Sequence, residues 1–321
     1  MKEALFILTC AGLYERNLKV FPELSLRQWK SVVAMAHRQT VAGILSRGVT
    51  HLPKDYPLPQ EILLQLVAEA NTIESQGRRI LQVADTLVAR FDAAGLHPII
   101  MKGPEVAKFY PEPLLRECGD LDLFFAPSEI DKALQIAGTV EKTPDGSFHF
   151  VEDGINIDIH KHYFNLHTKH LPEVPSPEAT LLMLSAHILK HCMGPGIGLR
   201  QLCDMAMAYK ALQVPQDRLR QCFREAGLER WNKLLFSFLN KYLLTDALYE
   251  ELPDPKPLLE IILEGGNFGH YAPTRGAAFT KSVLRRKADT ARRYLKRLPF
   301  SLKYAPREVF PAIGELVSGN L

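Results

Sequence analysis

The stretch Gly119-Asp120-Leu121-Asp122-Leu123-Phe124-Phe125 decides the fold of this chain. Its short apolar run predicts a strand over Asp120–Phe125. Because side chains alternate between the two faces of a strand, Asp120 and Asp122 share one face. Two adjacent carboxylates repel each other unless a positive charge lies between them. Mg²⁺ takes oxygen ligands, commonly one or two carboxylates plus substrate phosphates, so this face predicts a metal site.

A second strand repeats the pattern. Ile155–His160 alternates three isoleucines with Asn156, Asp158 and His160. It follows the run Ser147–Glu152 across a two-residue Asp-Gly link, which predicts a β-hairpin. An acidic residue on a neighbouring strand would complete a three-carboxylate site that orients a triphosphate. A lone D-x-D is more often a solvated strand edge, but its repetition on two apolar strands favours metal ligands.

A turn before these strands suits a phosphate. The apolar run Leu96–Met101 predicts a buried strand, and Pro104 fits the first position of a following helix. Gly103 between them lets the backbone approach an anion closely, and Lys102 adds a positive charge. A turn glycine beside a surface lysine is the alternative, and this motif alone does not decide between the two.

Together these residues resemble a poorly characterised group of bacterial nucleotidyltransferases in the DNA polymerase beta superfamily. The superfamily at large has Gly-Ser where this chain has Lys102-Gly103, so the chain follows the subgroup. The resemblance rests on Met101-Lys102-Gly103, Tyr110-Pro111, Arg116, Gly119–Leu123, Asn156–His160, His187–His191, Leu199–Asp204 and Gly265–Gly269.

The resemblance implies transfer of a nucleoside monophosphate from an NTP to a hydroxyl acceptor, with release of pyrophosphate. Asp120 and Asp122 would bind the metal ions, Mg²⁺ or Mn²⁺. Asp158 would bind the catalytic metal and accept the proton of the acceptor hydroxyl. The acceptor itself stays open among a small hydroxyl compound, an RNA and a protein side chain.

The resemblance also implies ligands for the nucleotide. Lys102, Gly103 and Arg116 would hold the triphosphate, since arginine offers a bidentate fork. His160 shares the face of Asp158 and would contact metal or substrate. Two alternatives stay open: a degenerate transferase fold that serves as a nucleotide-binding or regulatory module, and a metal-dependent phosphohydrolase that uses water as the acceptor.

The chain around this core is predicted to be helical. Amphipathic patterns fill residues 1–94 and 171–321, so we expect a mostly helical α+β protein whose small mixed-sheet core spans 95–170. The N-terminal run is interpreted as a helix and not as a signal peptide. No stretch approaches the length of a membrane span. The sequence leaves the oligomeric state open.

Charge and cysteine content exclude several classes. The net charge of +3 does not demand a nucleic-acid partner. Five scattered cysteines argue against a disulfide framework and a zinc knuckle, which favours a reducing, cytoplasmic setting. Residues 281–303 carry nine Lys or Arg and one acid, and are the best candidate for a segment that binds an acidic acceptor. A basic solvated helix is the favoured alternative there.

Overall fold

The computed structural model confirms a mostly helical α+β fold with a mixed five-stranded sheet. It describes residues 1–143, 146–168, 170–194, 196–266 and 283–318. Pro195, Asn267–Gly269 and the start of the basic segment at 281–282 lie outside these residues.

Four helices precede the sheet. The second begins with a capping box in which Ser25 and Gln28 satisfy each other's backbone N–H groups. The fourth is 34 residues long and forms one wall of the sheet. The four helices are α1 (Lys2–Tyr14), α2 (Leu26–Arg38), α3 (Ala42–Val49) and α4 (Gln60–Ala93).

The sheet has the order β1-β2-β5-β4-β3. Its strands are β1 (Ile99–Ile100), β2 (Asp120–Phe124), β3 (Glu141–Lys142), β4 (Phe148–Glu152) and β5 (Ile155–His160). The strands β2 and β5 run parallel, and the other neighbours are antiparallel. Two short helices, α5 (Pro104–Ala107) and α6 (Ile130–Ala137), and a 3₁₀ turn at Pro113–Leu115 connect them.

The predicted hairpin forms with the expected turn. Asp153 and Gly154 both have positive φ angles, 48° and 74°, as a type I′ turn requires. The strand predicted over Leu96–Met101 is wrong in length, because only Ile99 and Ile100 pair with β2. Pro98 carries no N–H and cannot donate to a ladder, which limits the strand to its last residues. The short strand β3, which pairs with β4, was not predicted from the sequence.

The C-terminal region contributes α7 (Pro177–Met193), α8 (Leu199–Leu212), α9 (Gln216–Glu225), α10 (Glu229–Leu243), α11 (Lys256–Gly265), α12 (Val283–Tyr304) and α13 (Pro306–Ser318). Their apolar side chains join those of α1 to α3 in one hydrophobic core. A second core lies between the sheet, α6 and the C-terminal half of α4. The N-terminal and C-terminal helical regions are therefore packed together around the sheet unit.

The N-terminal apolar run forms α1, and Leu5, Leu8 and Leu13 lie in the shared core. All five cysteines are free thiols. Among the helices that the structure describes, none combines the length and the apolar character needed to cross a membrane.

Candidate active site

The pairing of β2 with β5 brings the predicted aspartates together. In this parallel register Asp122 lies beside Asp158, and Asp120 lies beside Asn156. Strand alternation then sets all three aspartates on one face of the sheet. On the opposite face, Leu121 and its apolar neighbours are buried against α4. The apolar face of these strands packs in the hydrophobic core, and the opposite face carries the aspartates of the candidate site.

Asp122 is the most enclosed of the three carboxylates. The ammonium of Lys102 lies 3.0 Å from its Oδ1, and Nε2 of His160 lies 2.7 Å from the same oxygen. Burial opposes the ionisation of Asp122. The positive charge of Lys102 and the hydrogen bond with His160 outweigh this penalty and hold the pKa of Asp122 well below its ordinary value. Asp122 is therefore ionised throughout the physiological range.

Asp120 has a different environment. Burial raises its pKa, and the negative charge of Asp122 raises it further, while Lys102 and Arg200 act in the opposite direction. Within the described part of the chain, no hydrogen bond or ion pair reaches the Asp120 carboxylate. This desolvated carboxylate therefore stands beside like charges without a direct cationic partner of its own.

Asp158 is partly exposed and pairs with a residue that the sequence analysis did not assign. The Nδ1 atom of His149 lies 3.0 Å from Asp158 Oδ1, because His149 is the cross-strand neighbour of Asp158 in the hairpin. A two-residue turn at Asp153-Gly154 fixes this register. Counting outward from the turn would have identified the pair from the sequence.

The donor set suits a hard dication, since carboxylate oxygens are the ligands that Mg²⁺ prefers. The unpartnered Asp120 carboxylate marks where positive charge is missing. As the side chains stand, however, the described residues contain no group of three His, Cys, Asp or Glu arranged to hold a metal ion. Asp122 is engaged by Lys102 and His160, and Asp158 by His149. The metal site therefore stays a prediction.

Gly103 has the backbone that the turn requires. Its φ of 57° and ψ of −115° are strained for any residue with a side chain. A Cβ at this position would also lie 2.9 Å from Cys118 Sγ. The glycine therefore lets β1 turn sharply into α5 directly beside β2, and this turn presents the preceding Lys102 to Asp122.

Arg116 borders the same face of the site as Asp120, but its guanidinium is already engaged by other protein groups. Its guanidinium is buried and forms a bidentate pair with Asp204, with Nε 3.0 Å from Oδ1 and Nη2 2.6 Å from Oδ2. Its Nη1 donates to the carbonyl of Glu117, and Tyr110 Oη donates to the same Asp204 carboxylate. With each guanidinium nitrogen engaged, the arrangement favours a positioning role for Arg116 over the predicted contact with triphosphate.

Helices α7 and α8, which follow the sheet in the chain, also contribute residues to the site. His187 of α7 and Arg200 of α8 line a cavity of about 40 Å³ together with Lys102, Asp120 and Asp122. Arg200 is buried and donates from Nη1 to the Glu117 carbonyl at 2.7 Å. A cavity of this size holds an ion or a few waters but not a nucleotide. Most of any nucleotide must therefore lie outside it.

The histidines of α7 add no charge to this wall. Burial lowers the pKa of His191 to about 3, and Lys102 and Lys190 lower it further. Burial likewise holds the pKa of His187 well below its ordinary value. Both helices carry part of the family resemblance, but that resemblance implied no role for Arg200. No local spacing links Arg200 to Asp120, so only the folded chain reveals their proximity.

A family model described as an uncharacterised nucleotidyltransferase matches residues 25–174 and 168–243. The chain belongs to this family. The matched part of the nucleotidyltransferase includes the whole sheet, Lys102, the three aspartates and Arg200, and it supports a general nucleotidyltransferase role. No curated protein and no solved structure matches the chain.

Proposed function

We propose that this nucleotidyltransferase moves a nucleoside monophosphate from an NTP to a hydroxyl acceptor in a reaction that requires Mg²⁺ or Mn²⁺. One observation carries the proposal: Asp120 is a desolvated carboxylate without its own partner, on the same sheet face as Asp122 and Asp158. Such crowding costs stability in the protein alone and is relieved by a cation. A structural role would not explain why the chain tolerates it.

Asp120, Asp122 and Asp158 would hold the metal after modest rotation of their side chains. A dication held by these residues would neutralise charge on the triphosphate and lower the pKa of the attacking hydroxyl. His160 and His149 would keep the carboxylates of Asp122 and Asp158 oriented, as hydrogen-bonded neighbours of metal ligands commonly do.

The proposed reaction is a displacement at the α-phosphorus in which a carboxylate of the chain accepts the proton of the acceptor hydroxyl. The acceptor oxygen attacks the α-phosphorus, the bond from this phosphorus to the oxygen bridging the β-phosphate breaks, and pyrophosphate leaves. The proton of the acceptor hydroxyl passes to Asp158. Asp158 suits this role because it is partly exposed, whereas Asp122 is buried, so an acceptor can reach Asp158 from solvent.

The cations beside the carboxylates would bind the phosphates. Lys102 pairs with Asp122, and its flexible ammonium can turn to a phosphate oxygen. Arg200 lines the same cavity and takes the place that the sequence analysis gave to Arg116. Arg116, held by Asp204, would fix the segment that leads into β2.

The experiment follows both products. The protein is incubated with Mg²⁺ and each labelled NTP, with cell extract as the acceptor pool, and labelled acceptor and pyrophosphate are measured. Asp122→Asn is the test variant, and Asp131→Asn, an exposed aspartate on α6, is the matched control. We expect label in an acceptor for the wild type and the control, and a loss of at least about 100-fold in the test variant.

The alternatives give different outcomes. Phosphate or pyrophosphate release without a labelled acceptor, abolished by Asp122→Asn, would identify a phosphohydrolase. NTP binding without turnover would identify a nucleotide-binding module. If neither NTP nor Mg²⁺ binds, and Asp122→Asn behaves like the wild type, the proposal is wrong.

A further inference from the structure

A second and larger cavity lies between α1, the end of α10 and α11. Its volume is about 760 Å³, within the range of roughly 300–1,000 Å³ that is usual for small-molecule sites. None of its lining residues belongs to the candidate active site. The floor is apolar and includes Phe6, Ile7, Tyr242 and Leu259.

The floor is firmly built. The rings of Phe6 and Tyr242 lie 5.0 Å apart, and Cys10 Sγ donates to the Tyr242 carbonyl at 3.3 Å. Burial raises the pKa of the Cys10 thiol to about 12, so this cysteine is an inert part of the wall. The groove therefore has an aromatic base whose side chains are packed against each other.

The rim of the groove is positive. Four exposed cations border it, Lys2, Arg16, Lys19 and Lys241, against the single acid Glu3. Within the described residues none of the four forms an ion pair. Lys241 also lies over the Tyr242 ring, with Nζ 5.6 Å from its centre.

We propose that this groove binds a fatty-acid carboxylate, with its acyl chain along the apolar floor and its carboxylate at the cationic rim. The floor offers mostly apolar contacts, which suit an acyl chain. The unpaired cations favour an anionic head, since ionic hydrogen bonds are the stronger ones. Neither feature alone selects this ligand, but an apolar groove bordered by cations is complementary to both the acyl chain and the carboxylate of a fatty acid.

The shape of the rim favours a free amphiphile over a membrane surface or a peptide helix. Lys2 is the first residue of α1 and Arg16 follows its C-cap Glu15, and the 13-residue helix between them spans about 20 Å at about 1.5 Å per residue. Two of the bordering cations are thus about a helix length apart along a concave groove, and do not form the compact basic face that binds a lipid bilayer. The volume suits one extended chain.

The test titrates octanoate, decanoate and dodecanoate, below their micelle concentrations, into the full chain by calorimetry. We expect the affinity to rise up to about fourfold per added methylene, as burial of the chain predicts. Decyltrimethylammonium, with the same chain length as decanoate and the opposite charge, should bind at least about tenfold more weakly.

Variants locate the site. Arg16→Glu and Lys241→Glu should each weaken decanoate binding about tenfold. Leu244→Asn removes an exposed apolar side chain from the rim at a positive-φ position that asparagine tolerates, and should reduce the gain per methylene. Lys54→Glu makes the same charge change on an exposed residue outside the groove and should leave the affinity within about twofold.

Several results would overturn the proposal. These are equal affinity for the anionic and cationic amphiphiles, no dependence on chain length, or equal weakening by Lys54→Glu. Binding to anionic vesicles or to an acidic amphipathic peptide that the groove variants abolish, without decanoate binding, would assign the groove to that other partner. Thermal unfolding of each variant confirms that loss of binding is not loss of the fold.

Discussion

Replacing Asp120 with asparagine should stabilise the metal-free protein. Burial and the negative charge of Asp122 raise the pKa of Asp120, so its ionised form is less favourable in the folded chain than in the unfolded one. At neutral pH the wild type carries this penalty. An amide of nearly the same shape removes the charge, and we expect the free energy of unfolding to rise by about 0.5–2 kcal/mol.

Metal should reverse the order of stability. If Mg²⁺ binds the folded wild type at a free concentration 100 times its Kd, the free energy of unfolding rises by about 2.7 kcal/mol. Asp120→Asn lacks one of the proposed ligands and should gain much less. Urea unfolding at pH 7, with and without MgCl₂, measures both effects, and MnCl₂ provides a second metal. Asp131→Asn, which is exposed, serves as the control.

Two results would refute this reasoning. If Asp120→Asn is less stable than the wild type without metal, the carboxylate forms stabilising contacts and is not a destabilised ligand. If the wild type and Asp120→Asn gain equally from Mg²⁺, Asp120 does not bind the metal. A gain confined to the wild type and the Asp131→Asn control would support both the electrostatic argument and the proposed metal site.

Three further predictions concern the surroundings of the site. Asp204→Ala leaves the buried charge of Arg116 unpaired and should lower the free energy of unfolding by about 3–5 kcal/mol in urea, with Asp204→Asn losing less; a loss as small as that of the exposed Asp217→Ala would contradict the role of the pair. The pKa of His191 in the folded chain, about 3, lies below the ordinary value of 6.5, so the unfolded chain binds more protons than the folded one between these pH values. As the pH falls below 6.5, the free energy of unfolding of the wild type should therefore decrease by roughly 1.4 kcal/mol per pH unit relative to His191→Gln. Parallel pH profiles of the two proteins would exclude this. His149→Ala should lower kcat about 10–100-fold with little change in the KM for NTP, and His149→Gln should retain more activity; an increase in KM with unchanged kcat would show that His149 binds substrate and does not position Asp158.

Local patterns predicted the elements that carry the carboxylates. Alternation of charged and apolar residues predicted β2 and β5, and the Asp-Gly pair predicted the turn between β4 and β5 with its two positive φ angles. These succeed because the relevant forces act over a few residues: one face of the strand is buried, and only certain residues fit the turn. The His149–Asp158 pair follows from the same register.

Long-range partners could not be predicted in this way. The sequence does not state that β5 lies parallel to β2, and that pairing alone sets Asp158 beside Asp122. The family resemblance implied that Arg116 binds the triphosphate, a role for which arginine offers a bidentate fork. Its actual partner, Asp204, lies 88 residues further along the chain. Arg200 and Asp120 line one cavity because α8 packs beside the sheet, and no local spacing in the sequence encodes that packing.

The balance of fixed charges around Asp120 determines whether the site attracts or repels a triphosphate. The charges that act on Asp120 are the carboxylates of Asp122 and Asp158 and the cations of Lys102 and Arg200, while the α7 imidazoles are kept neutral by burial. With Asp120 itself ionised, one negative charge is in excess, which disfavours a triphosphate. One bound dication would make the excess positive and attract it. We therefore expect metal to promote NTP binding, and a set of affinities measured with and without Mg²⁺ should show that each ligand strengthens the other.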